Sequence, residues 1–246
     1  MKCKLCLEEK PLLKKSHIIP NFMYKGLFTD DHKLFVVSSD DPSNARYTFT
    51  GEYEGNILCK ECDNSIIGGY ENYAHTVLYG GKNLKEDQYP YVQNMVTRGG
   101  INLLYSINID YAKFKLFLLS FLWKSSISSR PFFNLVNLGK HEEPIRQMLI
   151  ERNPGESDTY PCMLLTFLNV ESVPEDFIGQ PQQTLGSSDA PITFLIGGMY
   201  YIFYLSNTNR PGFDPYGPVN ERGELRIFEL QESDAKKFFK SFTGIG

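Results

Sequence analysis

The sequence predicts an α+β chain in two parts: a small cysteine-stapled unit over residues 1–95, then helices and an antiparallel sheet over residues 96–246. Three observations carry this reading. Two C-x2-C pairs, Cys3/Cys6 and Cys59/Cys62, stand either side of a short strand-like segment. The stretch Tyr111–Ser126 has the most apolar helical pattern in the chain. From Tyr160 onward, apolar runs of strand length alternate with turn residues. With 246 residues and 41% apolar content, the chain can build one large domain or a small unit with a companion.

In the first part, Ser16-His17-Ile18-Ile19 reads as a short strand that Pro20 stops. Lys33–Ser38 and Arg46–Tyr53 read as further strands, separated by a turn at Asp40-Asp41-Pro42-Ser43-Asn44. A helix is expected after the second cysteine pair, because Ile66, Ile67, Tyr70, Tyr73, Ala74, Val77 and Leu78 recur at helical spacing. Asp63 or Asn64 would cap it and Gly80-Gly81 would end it. Residues 82–108 read as a linker with irregular structure. Beyond them come the buried helix Tyr111–Ser126 and a shorter one from Glu143-Pro144 to Arg152, broken by Asn153-Pro154-Gly155. Strands are expected at Met163–Asn169, Ile192–Ile196, Met199–Ser206 and Glu224–Leu230, with Gly197-Gly198 as a hairpin turn. Asp234–Phe242 reads as a closing helix.

No apolar stretch follows Met1, and no apolar run is long enough to span a bilayer, so a soluble cytoplasmic protein without membrane association is expected. The formal charge of −4 is uneven. Residues 1–130 carry 16 Lys/Arg against 14 Asp/Glu, and residues 131–246 carry 9 against 15. A locally basic first part can hold a phosphate backbone on an acidic whole, although solvated surface lysines give the same count. P-loop, dinucleotide-turn and nucleophile-elbow patterns do not occur, which sets aside the common nucleotide-cofactor and serine-hydrolase classes.

A C-x2-C turn places two thiolates on one side of a tight backbone loop, and two such turns complete a closed four-cysteine site of the structural zinc type. Cys3, Cys6, Cys59 and Cys62 are therefore read as ligands of a structural Zn²⁺, with Cys162 left as a small buried residue. A redox dithiol is the alternative, but that motif normally stands once at a helix start. The second knuckle opening directly into a helix is the arrangement of a treble-clef finger.

Taken together, Cys3-Lys4-Leu5-Cys6, His17-Ile18-Ile19-Pro20, Asn56-Ile57-Leu58 and Cys59-Lys60-Glu61-Cys62-Asp63-Asn64 resemble the HNH endonuclease family over residues 1–80. The resemblance implies a ββα-metal module and one-metal hydrolysis of phosphodiester bonds. It implies that His17 acts as general base, that Asn56 orients it, and that Asp63, with Asn64 beside it, helps hold a catalytic Mg²⁺ or Mn²⁺. Ser16 stands where many members carry Asp or His, and Asp63 where they carry His or Asn. The expected substrate is nucleic acid, DNA in the first instance. Residues 96–246 would bind a regulatory protein partner or position substrate, as in an anti-phage defence effector. The competing reading is a catalytically inert zinc module that binds nucleic acid or protein, in which Asp63 only caps its helix. Glu71 reads as a surface charge, with support of substrate or of a neighbouring lysine as the alternative, and His32, in a turn after Asp30-Asp31, as a residue that could approach the metal through its loop.

Overall fold

The computed structural model describes residues 1–37, 45–80, 90–97, 99–183, 189–206 and 219–243. The strands are β1 (Ser16–His17), β2 (Leu34–Val37), β3 (Arg46–Thr48), β4 (Tyr53–Glu54), β5 (Tyr91–Val96), β6 (Asn102–Ile107), β7 (Cys162–Thr166), β8 (Phe177–Gln183), β9 (Ile192–Ile196), β10 (Met199–Phe203) and β11 (Leu225–Glu229). The helices are α1 (Gly68–Tyr79), α2 (Tyr111–Ile127), α3 (Glu142–Glu151) and α4 (Glu232–Thr243). The fold is α+β. Among the described residues, nine strands form one sheet in the order β3-β2-β8-β9-β10-β7-β11-β6-β5, while β1 and β4 form a separate two-stranded ladder.

The sheet is mixed rather than antiparallel: β2 runs parallel to β8, and β11 parallel to β7. Chain order alone does not expose such pairs, because a parallel neighbour must arrive by a long crossover. The segments 33–38 and 46–53 were expected as strands of the first unit. They yield β2 and β3, which extend the large sheet, and β4, which pairs with β1. The turn expected at Asp40–Asn44 lies outside the described residues. The supposed linker 82–108 contains the β5–β6 hairpin, with pairing from Tyr91↔Ile107 to Val96↔Asn102. All six β5 residues are exposed, so this strand lacks the one-sided polarity that reveals a strand in sequence.

Strand β8 was also missed. Its sequence, Phe-Ile-Gly-Gln-Pro-Gln-Gln, reads as a loop. The register shifts between Gly179 and Gln182, a bulge that accommodates Pro181. The buried glutamines are satisfied from the side: Gln180 donates to Asn134 Oδ1 at 2.8 Å, and Gln183 Oε1 accepts from Asn137 N–H at 2.9 Å. A Cβ on Gly179 would run into the Phe242 ring of α4, so glycine sets how closely that helix approaches.

The sheet is covered on both faces, which is why Ile192–Ile196 and Met199–Phe203 are nearly continuous apolar runs. Between them, Gly197 and Gly198 take φ of 54° and 73°, as a tight two-residue hairpin turn requires. On one face α4 covers Leu195, Tyr200 and Phe177 with Ala235 and Phe242. On the other lies α2, buried from Phe114 through Ser125. A helix apolar all round needs neighbours on every side. Phe121 meets Phe194, Phe203 and Tyr201 edge-on at 5.2, 5.4 and 5.5 Å, and Phe117 meets Phe22 of the N-terminal region at 5.6 Å. Helix α1 packs on α2, its Tyr73 hydroxyl accepting from Asp110 N–H at the start of α2 (2.6 Å), and its Tyr70 donates to the Leu149 carbonyl of α3. One core cluster thus runs from Cys3 and Leu58 through α2 into the sheet. Among the described residues no helix is long and apolar enough to cross a membrane.

Candidate functional site

The two knuckles meet. The sulfurs of Cys3, Cys6, Cys59 and Cys62 all lie within 4.8 Å of one another. Four thiolates around zinc at ~2.3 Å stand about 3.8 Å apart, so the cluster fits a tetrahedral ion with slight contraction. Local backbone shapes it: Leu7 adopts φ of 61° so that its N–H reaches back to the Cys3 carbonyl (2.9 Å), while Lys4 N–H bonds to Ile57 O and Leu13 N–H to Leu58 O. The Cys59 N–H donates to Cys3 Sγ at 3.3 Å, the kind of contact that favours a thiolate. Burial pushes the Cys3 thiol up, yet the backbone hydrogen bonds around it outweigh burial and bring it below its ordinary value. Burial drives the Cys62 thiol far up, so only a cation would hold it ionised. The donor set suits a structural Zn²⁺, and no second site able to hold a catalytic metal through three or more such side chains occurs among the described residues.

Beyond the first knuckle, Ser16 and His17 form β1. They pair antiparallel with Glu54 and Tyr53 of β4, and the Ile18 N–H extends the ladder to Glu52 O at 3.0 Å. Successive strand side chains point to opposite faces. On one face the buried Ser16 hydroxyl donates a short hydrogen bond to Asp63 Oδ1. On the other the half-buried His17 ring lies against its cross-strand partner Tyr53, with centroids 6.3 Å apart, and the Lys15 ammonium stands 4.3 Å over the Tyr53 ring. Burial lowers the His17 pKa below its ordinary 6.5. Lys15 and Lys124 add to the lowering and the Asp63 carboxylate opposes it. Burial and the two lysines thus favour the neutral imidazole.

The helix bearing Asp63 begins earlier than expected. Glu61–Ile67 form a wide π turn, with the Gly68 N–H bonding to Asp63 O, and α1 follows without a break. Asp63 and Asn64 lie inside this turn, and neither caps it; the residue at the cap position is Lys60, without a side-chain bond. Freed from capping, the Asp63 carboxylate faces β1, whereas Asn64 is exposed. Asn56 is exposed as well. It takes φ of 62°, a conformation asparagine tolerates, and its N–H bonds to Leu13 O. It lies in the bend between the end of β4 at Glu54 and Cys59 of the second knuckle. His32 stacks on Phe28 at 4.6 Å, and His141 bridges Asp189 (2.8 Å) and Tyr160 (3.2 Å) in the second half of the chain.

Two residues join the site that sequence reasoning did not place there. Lys124, near the end of α2 and 1% exposed, donates to the His17 carbonyl and to Glu71 Oε1, both at 2.7 Å. Glu71 is thus a counter-ion rather than a surface charge. The available signal was the lysine itself: a charge closing the apolar run Phe114–Trp123 has to find a partner when the helix is buried. Comparison with protein-family models, with curated proteins and with solved structures found no match for this chain.

Proposed function

We propose that this protein is a metal-dependent phosphodiesterase of nucleic acid, working by the one-metal chemistry that its resemblance to HNH endonucleases implies. The observation that carries the reading is the Ser16–Asp63 hydrogen bond. It joins the strand position before His17 to the helix position after the second knuckle, the two places where the family holds its ion. In this reading Asp63 supplies a carboxylate to Mg²⁺ or Mn²⁺, and the Ser16 hydroxyl supports it. Held there, such an ion would supply charge stabilisation for a scissile phosphate and its leaving oxygen. His17, kept neutral by burial, takes the proton of the attacking water. The knuckles hold strand and helix together as a structural staple. DNA is the substrate to test first, and a partner of residues 96–246 remains part of the same proposal.

The competing reading, an inert zinc module that binds nucleic acid or protein, draws on the exposed Asn56 and on an Asp63 already engaged by Ser16. Nicking of supercoiled plasmid with Mn²⁺ or Mg²⁺ separates the two. Wild-type protein is expected to cut, and His17→Ala at equal zinc content to cut about 10²–10⁴-fold more slowly, the usual worth of a general base. Equal cutting by both would remove His17 from the chemistry. No cutting of DNA or RNA by the wild-type chain would leave the inert module as the better reading.

A further inference from the structure

The end of α2 makes more bonds to the β1–β4 ladder than packing requires. Lys124 Nζ donates to the His17 carbonyl and pairs with Glu71, each at 2.7 Å. One turn on, Ser128 Oγ (2.6 Å), Ser129 N–H (2.9 Å) and Ser129 Oγ (2.6 Å) all donate to the Glu54 carboxylate. Burial would raise the Glu54 pKa, but these serine bonds outweigh it and hold the carboxylate ionised below its ordinary value. Arg130 Nε stands 3.7 Å from the buried Glu52 carboxylate, beside the Ile18–Glu52 backbone bond. Within seven residues, 124–130, the chain thus reaches β1 through Lys124, β4 through Ser128 and Ser129, and Glu52 just ahead of β4 through Arg130.

Such an arrangement is costly unless it does something. A lysine that is 1% exposed in a buried helix forfeits its hydration and needs well-placed partners to offset the loss. Here one partner is the main-chain oxygen of His17 itself. The imidazole hangs from that residue's Cα, so a charged donor on its carbonyl fixes where the ring starts. The ladder has only two residues per strand. So short a ladder does not define its own position, because two-stranded pairings are marginal in water.

We propose that the C-terminal end of α2 is a positioning element of the hydrolytic site, in which Lys124, with Ser128 and Ser129, holds the β1–β4 ladder and with it the backbone from which the His17 ring projects. This rests on the hydrolytic reading above and extends it: the centre is composite, with its third wall supplied by a helix some sixty residues beyond the second knuckle. Lys124 is a positioning residue, since its ammonium is buried and engaged by the His17 carbonyl and the Glu71 carboxylate. Arginine keeps the charge and its donors, whereas methionine keeps the apolar stem and loses the charge.

The test uses the full chain carrying Lys124→Met, Lys124→Arg, or Ser128→Ala with Ser129→Ala, each with zinc content measured. Plasmid nicking with Mn²⁺ gives kcat and KM, and amide exchange is followed at Ile18, whose N–H closes the ladder. Lys124→Met is expected to retain zinc, to lower kcat about tenfold or more with KM unchanged, and to speed exchange at Ile18 by a similar factor, the worth of one hydrogen bond to a charged group. Lys124→Arg should recover most of both. The paired serine variant should loosen Ile18 in the same way and carries the test if Lys124→Met does not fold. Unchanged kcat and Ile18 exchange in the folded variants would overturn the proposal, as would an arginine variant no better than methionine. If the wild-type chain cuts nothing, the hydrolytic reading fails, while exchange at Ile18 still decides whether α2 holds the ladder.

Discussion

Stripping the metal from the four-cysteine cluster is expected to lower the melting temperature by about 8–16 °C, at the ~2–4 °C per kcal/mol typical of a chain this size. The magnitude follows from the loop that the cluster closes. Cys3 and Cys6 are tied to Cys59 and Cys62, so residues 7–58 form a closed loop as long as the ion is present. Treated as a cross-link, a loop of that length restricts the unfolded chain by about 4 kcal/mol. That is a large share of the ~5–15 kcal/mol that stabilises a typical native protein. Complete unfolding is not expected, because Leu5, Ile18, Ile57, Leu58 and Ile66 also belong to the same core as α2. Two perturbations report the effect: prolonged chelation of the wild-type protein, and Cys62→Ser, which leaves three ligands. Calorimetry reads the melting temperature, and a chromogenic chelator reads the zinc released by a mercurial. One zinc per chain, lost in the variant together with the expected melting shift, is the predicted result. Four freely reactive thiols in protein purified from zinc-supplemented medium, or an unchanged melting temperature in Cys62→Ser, would refute the reasoning.

Further expectations concern the core and the imidazole. Phe121→Ala removes the ring that meets Phe194, Tyr201 and Phe203, and should cost about 3–5 kcal/mol, read as a lower denaturant midpoint with unchanged slope. The acidic limb of kcat/KM for nicking should inflect below 6.5, because burial above all, then Lys15 and Lys124, hold His17 in its neutral form against the pull of Asp63. An inflection at or above 6.5 would mean that the carboxylate, not burial, dominates. The same shift has a consequence for stability. The unfolded chain takes up the His17 proton more readily than the folded one, so the contribution of this residue is intact above pH 6.5 and erodes as the pH falls from there toward the folded pKa. His17→Gln should flatten that part of the stability profile.

Much of the site was legible because its parts are local. The spacing within each C-x2-C pair is enough to shape a knuckle, and Pro20 is enough to stop the strand that bears His17. The helix after Cys62, the buried helix Tyr111–Ile127 and the Gly197-Gly198 hairpin were likewise readable, since side-chain periodicity and turn chemistry act over a few residues. Asp63 was harder. Its position suggested a cap, and only the earlier start of the helix, in a π turn, leaves its carboxylate free to meet Ser16. Strand β8 and the β5–β6 hairpin were missed because their polar residues are satisfied by, or exposed beside, distant parts of the chain.

The sequence by itself determined the two C-x2-C knuckles, the strand that carries His17, the buried character of α2 and the hairpin of the central sheet, because each follows from spacing, periodicity or turn residues close together in the chain. Only the tertiary structure decided that β2 and β3 would join the distant strand β8, that Glu71 would neutralise Lys124, and that the end of α2 would reach the His17 carbonyl and Glu54. Those pairings bring together residues tens to more than a hundred positions apart. They are chosen by which buried polar groups can satisfy one another once the core has formed, and no local pattern encodes that choice.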